Sequence, residues 1–184
     1  MKNKAMKLTL LSLVVIGGMN MAQAASSVTV NVNGSVSAVT CELGVDAEQI
    51  NLPVVAPSDF ATGAGSIVEK TKQDFKVLTS GCAGTITPTT GQASLKVTAP
   101  FTSSGTQYFA DSASPDFAIG LMKKGSVELI HNNDLISVGA AGAELAGITN
   151  QSTEFTVALI NAGAVKPNKA GSVKAPITFD FVYN

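Results

Sequence analysis

"GSVKAPITFDFVYN", residues 171–184, is the last stretch of the chain. Every second residue in it is apolar or glycine: Gly171, Val173, Ala175, Ile177, Phe179, Phe181 and Tyr183. The residues between them, Ser172, Lys174, Pro176, Thr178, Asp180, Val182 and Asn184, are mostly polar. Successive side chains of a strand point to opposite faces, so a period of two predicts a half-buried β-strand over 171–184. No clearer strand pattern occurs in the chain, and nothing after it in the sequence covers its open side. Pro176 cannot donate a ladder hydrogen bond, so it is expected at an open edge, a bulge or the beginning of the strand.

The same alternation recurs upstream. Leu95, Val97 and Ala99 alternate with Lys96 and Thr98; Phe117, Ile119 and Leu121 with Ala118 and Gly120; Phe155, Val157 and Leu159 with Thr156, Ala158 and Ile160. The "KKGS" of Lys123–Ser126 between two such runs suits a hairpin turn. Clusters such as "TSGCAGTITPTTGQ" (79–92), "TSSGTQ" (102–107) and "KPNKAG" (166–171) read as turns. Short strands with frequent turns indicate an all-β sandwich in one domain. In "SVGAAGAELAGITN" (Ser137–Asn150) the alanines permit a helical turn and the glycines favour a loop.

The beginning of the chain reads as an export signal over residues 1–24. A basic "MKNKAMK" precedes the apolar "LTLLSLVVIGGM", and Ala22-Gln23-Ala24 supplies the small residues of a cleavage site. The apolar run falls short of the ~20 residues that a spanning helix needs. Cleavage after Ala24 removes Lys2, Lys4 and Lys7 and leaves nine lysines against 13 acidic residues, a net charge of −4. Arginine and tryptophan are absent. Such a chain is a poor nucleic-acid binder, because phosphate recognition relies on Arg and Lys clusters. Two cysteines remain, Cys41 and Cys82, and in an exported protein an even count reads as one disulfide. The alternative, a metal or redox pair, calls for closer spacing or further ligands than the single His131 provides.

"ASSVTVNVNGS" (25–35) forms a second clean pattern, with Val28, Val30 and Val32 alternating with Thr29, Asn31 and Asn33 up to Gly34, where the backbone can turn. It reads as an extended ribbon ahead of the body of the domain. The ribbon could pair with the last strand within one chain. Between chains, it would complete the next domain and build a fibre by strand addition.

These residues resemble the type 1-like pilins of the bacterial chaperone–usher pathway. The resemblance spans Ala25–Asn184. It rests on "VNG" with Gly34 seven residues before Cys41, on "DFKVLTSGC" ending at Cys82, on Gly171 fourteenth from the end, and on an alternating terminal strand with the penultimate Tyr183. It implies an immunoglobulin-like β-sandwich lacking its final strand and completed by donor-strand complementation, with residues 25–34 as the donor extension and 35–184 as the pilin domain. Val28, Val30, Val32 and Gly34 would be the donor residues. Gly171, Val173, Ala175, Ile177, Phe179, Phe181 and Tyr183 would line the groove that receives a chaperone strand and then a neighbour's extension. The implied function is that of a structural subunit of a surface fimbria contributing to adhesion. Its partners would be a periplasmic chaperone, an outer-membrane usher and neighbouring pilins, and its route would run through the periplasm to the cell surface. Val28 stands where many major pilins carry glycine, and the extension is short, as in adapter subunits near a fibre tip. A single-domain tip adhesin or an adapter that binds a host receptor is the alternative.

The chain carries no motif of catalysis or of cofactor binding. His131 lies near Asp134 and serine is plentiful, but no G-x-S-x-G elbow appears. There is no P-loop, no G-x-G-x-x-G after a strand and no metal-ligand spacing. No enzyme activity, cofactor or metal is expected.

Overall fold

The computed structural model describes residues 36–85, 91–100, 108–111, 116–140 and 142–184. The signal segment, the ribbon with Val28, Val30, Val32 and Gly34, and the 102–107 turn lie outside them. Two antiparallel sheets form. The larger has the order β1-β2-β7-β4-β5, from β1 (Val39–Val45), β2 (Gln73–Gly84), β4 (Phe117–Lys123), β5 (Leu129–Ile130) and β7 (Ser152–Asn161). The smaller is β6-β3-β8, from β3 (Ala93–Thr98), β6 (Leu135–Ser137) and β8 (Thr178–Tyr183).

Inward-facing residues of both sheets make one core. Phe75, Val77, Leu95, Val97, Leu121, Phe155 and Val157 are buried in it. The Phe155 ring lies 5.5 Å from that of Phe75 and 5.0 Å from that of Phe179, across the two sheets. The strands expected at 95–99, 117–121 and 155–159 are β3, β4 and β7. The Lys123–Ser126 turn closes with Ser126 N–H donating to Lys123 C=O at 2.9 Å and Gly125 at φ 80°, and it leads from β4 into β5. In the ambiguous 137–150 segment a single helical turn forms, α1 (Leu145–Ile148).

Two expectations change. Thr79–Gly84, read as turn, is the second half of β2: Glu42 pairs with Ser80 and Thr40 with Ala83, so Cys41 faces both Gly81 and Cys82 in a bulge. Gly81 adopts φ 56° there, which suits a residue without Cβ. The last strand is shorter than 171–184 and begins at Thr178. Its register with β3 gives the reason. Gln92 and Asn184 exchange both backbone hydrogen bonds, at 2.8 and 3.2 Å. Hydrogen-bonded pairs in an antiparallel ladder recur every second residue, so they fall at Ser94/Val182, Lys96/Asp180 and Thr98/Thr178. The next would be Pro100/Pro176, and neither proline has an N–H. Burial nonetheless alternates upstream of Thr178: Val173, Ala175 and Ile177 are half-buried between exposed Ser172, Lys174 and Pro176.

The sandwich has two ends. Gly84, α1 and Tyr183 mark the upper end, where Thr79 Oγ1 donates to Ile148 C=O at 2.6 Å. Phe117 and Asn161, paired in register, mark the lower end. Asn161 is fully buried. Its Nδ2 donates to Ala61 C=O (2.8 Å) and Val165 C=O (3.0 Å), while its Oδ1 accepts from Gly163 N–H (2.9 Å). One side chain thus ties together two loops of the lower end.

Candidate interaction site

The two flanks of the sandwich are built differently. On one, β5 and β6 are edge strands of opposite sheets joined directly by residues 131–134. This corner is tied down: Val97 N–H donates to Asp134 C=O (3.0 Å), Asn133 N–H to Val97 C=O (2.7 Å), and His131 N–H to the Asp134 carboxylate (2.7 Å). His131 and Asp134 therefore shape a corner, and the His131 ring lies near the Tyr108 ring at 6.1 Å.

On the other flank the edges are β1 and β8. Their Cα atoms come within 8 Å of each other, yet among the described residues β1 is laddered only to β2 and β8 only to β3. Neighbouring strands in a sheet lie about 4.8 Å apart. Among the described residues the flank therefore presents two single-paired backbone edges side by side.

Apolar side chains line this flank. On the β8 side Phe179, Phe181 and Tyr183 are half-buried against the main core, with Ala175 and Ile177 before them. On the β1 side Cys41 and Leu43 do the same, followed by Ile50 and Leu52. The structure thus brings five of the seven expected groove residues together. Val173 instead packs on a second, smaller cluster with Ala118 and Ile160, and Gly171 lies against the Phe117 ring at the lower end. Leu43, Ile50 and Leu52 were not singled out from sequence, although "VTCELGV" (39–45) alternates. Tyr183 depends on Gly91, where an added Cβ would collide with the phenol.

Cys41 and Cys82 form the disulfide, with Cα atoms 4.1 Å apart. It fastens β1 to β2 near the upper end.

The outer face of the larger sheet carries a charged row. Glu154 lies between Lys76 (2.8 Å) and Lys124 (3.2 Å), and Lys124 reaches Asp74 (3.3 Å), whose carboxylate accepts from Thr156 Oγ1 (2.6 Å). The Thr156 hydroxyl, then Lys124, hold the Asp74 carboxyl below its ordinary range. Lys76 and then Lys124 do the same for Glu154. Glu154 and then Asp74 push the Lys124 ammonium up. The row is surface-exposed and links β2, β7 and the β4–β5 turn. Among the described residues no three His, Cys, Asp or Glu side chains converge to hold a metal.

Among solved structures the chain is similar to the P pilus rod subunit PapA. The identity is 18%, the TM-score is 0.50, and the match covers 85% of this chain and 100% of that one. A structure described as a chaperone–usher pilus is similar at 16% identity and a TM-score of 0.46, over 87% of this chain and 97% of that one. No family model matches the sequence, and no curated protein does. The likeness to PapA is one of fold, and it agrees with the all-β, immunoglobulin-like pilin sandwich expected from the sequence.

Proposed function

We propose that the chain is a structural subunit of a surface fimbria and polymerises by donor-strand exchange. The observation that carries this reading is the β1/β8 flank: two adjacent edges, each laddered on one side among the described residues, over a row of half-buried apolar side chains. Exposed edges of this kind recruit strands. The fold shared with a pilus rod subunit supports it.

In this reading residues 1–24 direct export and are removed, 25–34 are the donor extension, and 35–184 are the pilin domain. Phe179, Phe181 and Tyr183, with Gly171, Val173, Ala175 and Ile177 below them, form one wall of the acceptor groove. Val28, Val30 and Val32 of the next subunit fill it, and Gly34 lets their ribbon leave its own domain. A periplasmic chaperone occupies the groove first, and an outer-membrane usher is where the exchange occurs. The subunit then contributes to adhesion as part of the surface fibre, without catalysis. Burying three valines is worth roughly 4–8 kcal/mol at about 1.5–3 per side chain, before ordering costs. Release requires a whole strand to leave the sheet, so dissociation is slow. No nucleotide is required when the chaperone-bound state is the higher in energy.

Deleting residues 28–32 tests the reading. The wild type, run on a gel without boiling, gives a ladder of polymers. The deleted subunit accumulates with its chaperone but adds no rung. Polymers of normal length from the deletion would refute the donor assignment.

A further inference from the structure

The flank changes character along its length. In the upper half β1 and β8 are regular strands. In the lower half their places are taken by residues 47–55 and 171–177, and no backbone group of either segment bonds to a described residue. Both segments run toward the same ring: Phe60, just beyond the first, lies 6.0 Å from Phe117, and Gly171 of the second touches it.

A proline in such a segment would ordinarily interrupt an edge. The β3–β8 register says otherwise. Even-numbered residues of β8 bond to β3. A strand sends alternate backbone groups to alternate sides, so the N–H and C=O of Phe179, Phe181 and Tyr183 point to the free edge. The half-buried side chains at 173, 175 and 177 continue this parity below the strand. Pro176 is even-numbered. Its missing N–H belongs to the β3 side, opposite Pro100, and the free edge loses nothing.

We infer that Pro176 ends the pairing with β3 while leaving an unbroken acceptor edge from Val173 to Tyr183, and that the segment 171–177 becomes strand only when a second copy's ribbon, residues 28–32, docks along it. This deepens the assembly reading and rests on it. The occupant is a second copy for a geometric reason. The described chain begins at Val36, which is fully exposed beside the upper end of β1, whereas the unladdered half of the flank lies at the lower end. A ribbon leaving one subunit at its upper end meets the lower half of the next subunit head-to-tail, the arrangement that generates open filaments.

The test is a proline pair in the full-length exported subunit, purified and assembled without chaperone. Ala175→Pro removes a free-edge donor, and Lys174→Pro removes one on the β3 side. Neither N–H bonds a described residue, so both monomers should keep the wild-type thermal midpoint. Ala175→Pro should slow polymer formation at least tenfold, and Lys174→Pro should stay within twofold of wild type. In hydrogen exchange of the wild type, amides 173, 175 and 177 should slow at least tenfold on polymerisation. Equal assembly rates for the two variants, or unchanged exchange at those amides in polymers that do form, would overturn the inference and leave the assembly reading standing. Absence of polymers from the wild type would remove both.

Discussion

Asn161→Ala should unfold the lower end of the sandwich at much milder denaturant. The side chain is fully buried and makes three hydrogen bonds, to Ala61 C=O, Val165 C=O and Gly163 N–H. Each is worth about 1 kcal/mol net, and each partner left dry costs more. Water can reach part of a loop region, so the expected loss is about 2–4 kcal/mol. A domain of this size has a urea slope of about 2 kcal/mol per molar, which makes the midpoint fall by about 1–2 M. The assay is urea unfolding of the purified subunit, followed by circular dichroism. Asn161→Asp sharpens it. The carboxylate keeps the bond to Gly163 N–H but turns a charge toward two carbonyl oxygens. Its pKa in the fold therefore rises above the unfolded value of about 3.9. Destabilisation is then small below about pH 4 and grows as pH rises, so at pH 7 the aspartate variant should be less stable than the alanine one. A midpoint shift under about 0.3 M for Asn161→Ala, on the same slope, would refute the argument. So would an aspartate variant equal to wild type at pH 7.

Cys41→Ser should cost about 3–4 kcal/mol, the chain-entropy value for a loop of this length, read as a fall in thermal midpoint that dithiothreitol reproduces in the wild type. Gly91→Ala should displace Tyr183 and cost about 1–3 kcal/mol through overpacking, with faster proteolysis of the last strand as the measurement. Lys124→Met should flatten the acid limb of stability. The depressed carboxyls of Asp74 and Glu154 stabilise the fold above their ordinary values of 3.8 and 4.5, and that contribution is lost as pH falls through the lower folded values. A variant whose unfolding midpoint follows the wild type as pH falls from about 5 through those lowered folded values would contradict it.

The inward faces of β3, β4, β7 and β8 were legible because each carries two or three large apolar residues at a period of two. Even the unladdered 173–177 stretch obeys that period in its burial. Pairing was not legible. The end of β8 at Thr178 depends on Pro176 meeting Pro100, a coincidence of register that no local pattern contains. β2 hid its second half because Gly81 and its neighbours look like turn residues when the bulge opposite Cys41 is unknown. Ala118 and Ile160 occupy the alternate positions of β4 and β7, on the opposite face of the sheet. They are buried beside Ile67, Tyr108 and Val173, which arrive from distant parts of the chain. Asn161 carried no signal at all, since a buried asparagine is recognised only by the carbonyls around it.

The position of the disulfide bears on how the domain meets tension. A pull applied through the residues ahead of β1 would begin to peel that strand at Val39, from the upper end. Only the register pairs of Val39 and Thr40 precede Cys41. At Cys41 the load crosses a covalent bond into β2, an interior strand whose ladder to β7 runs over Gln73–Leu78. Force that would open an edge one rung at a time is thereby handed to the middle of the larger sheet, where many rungs must shear together.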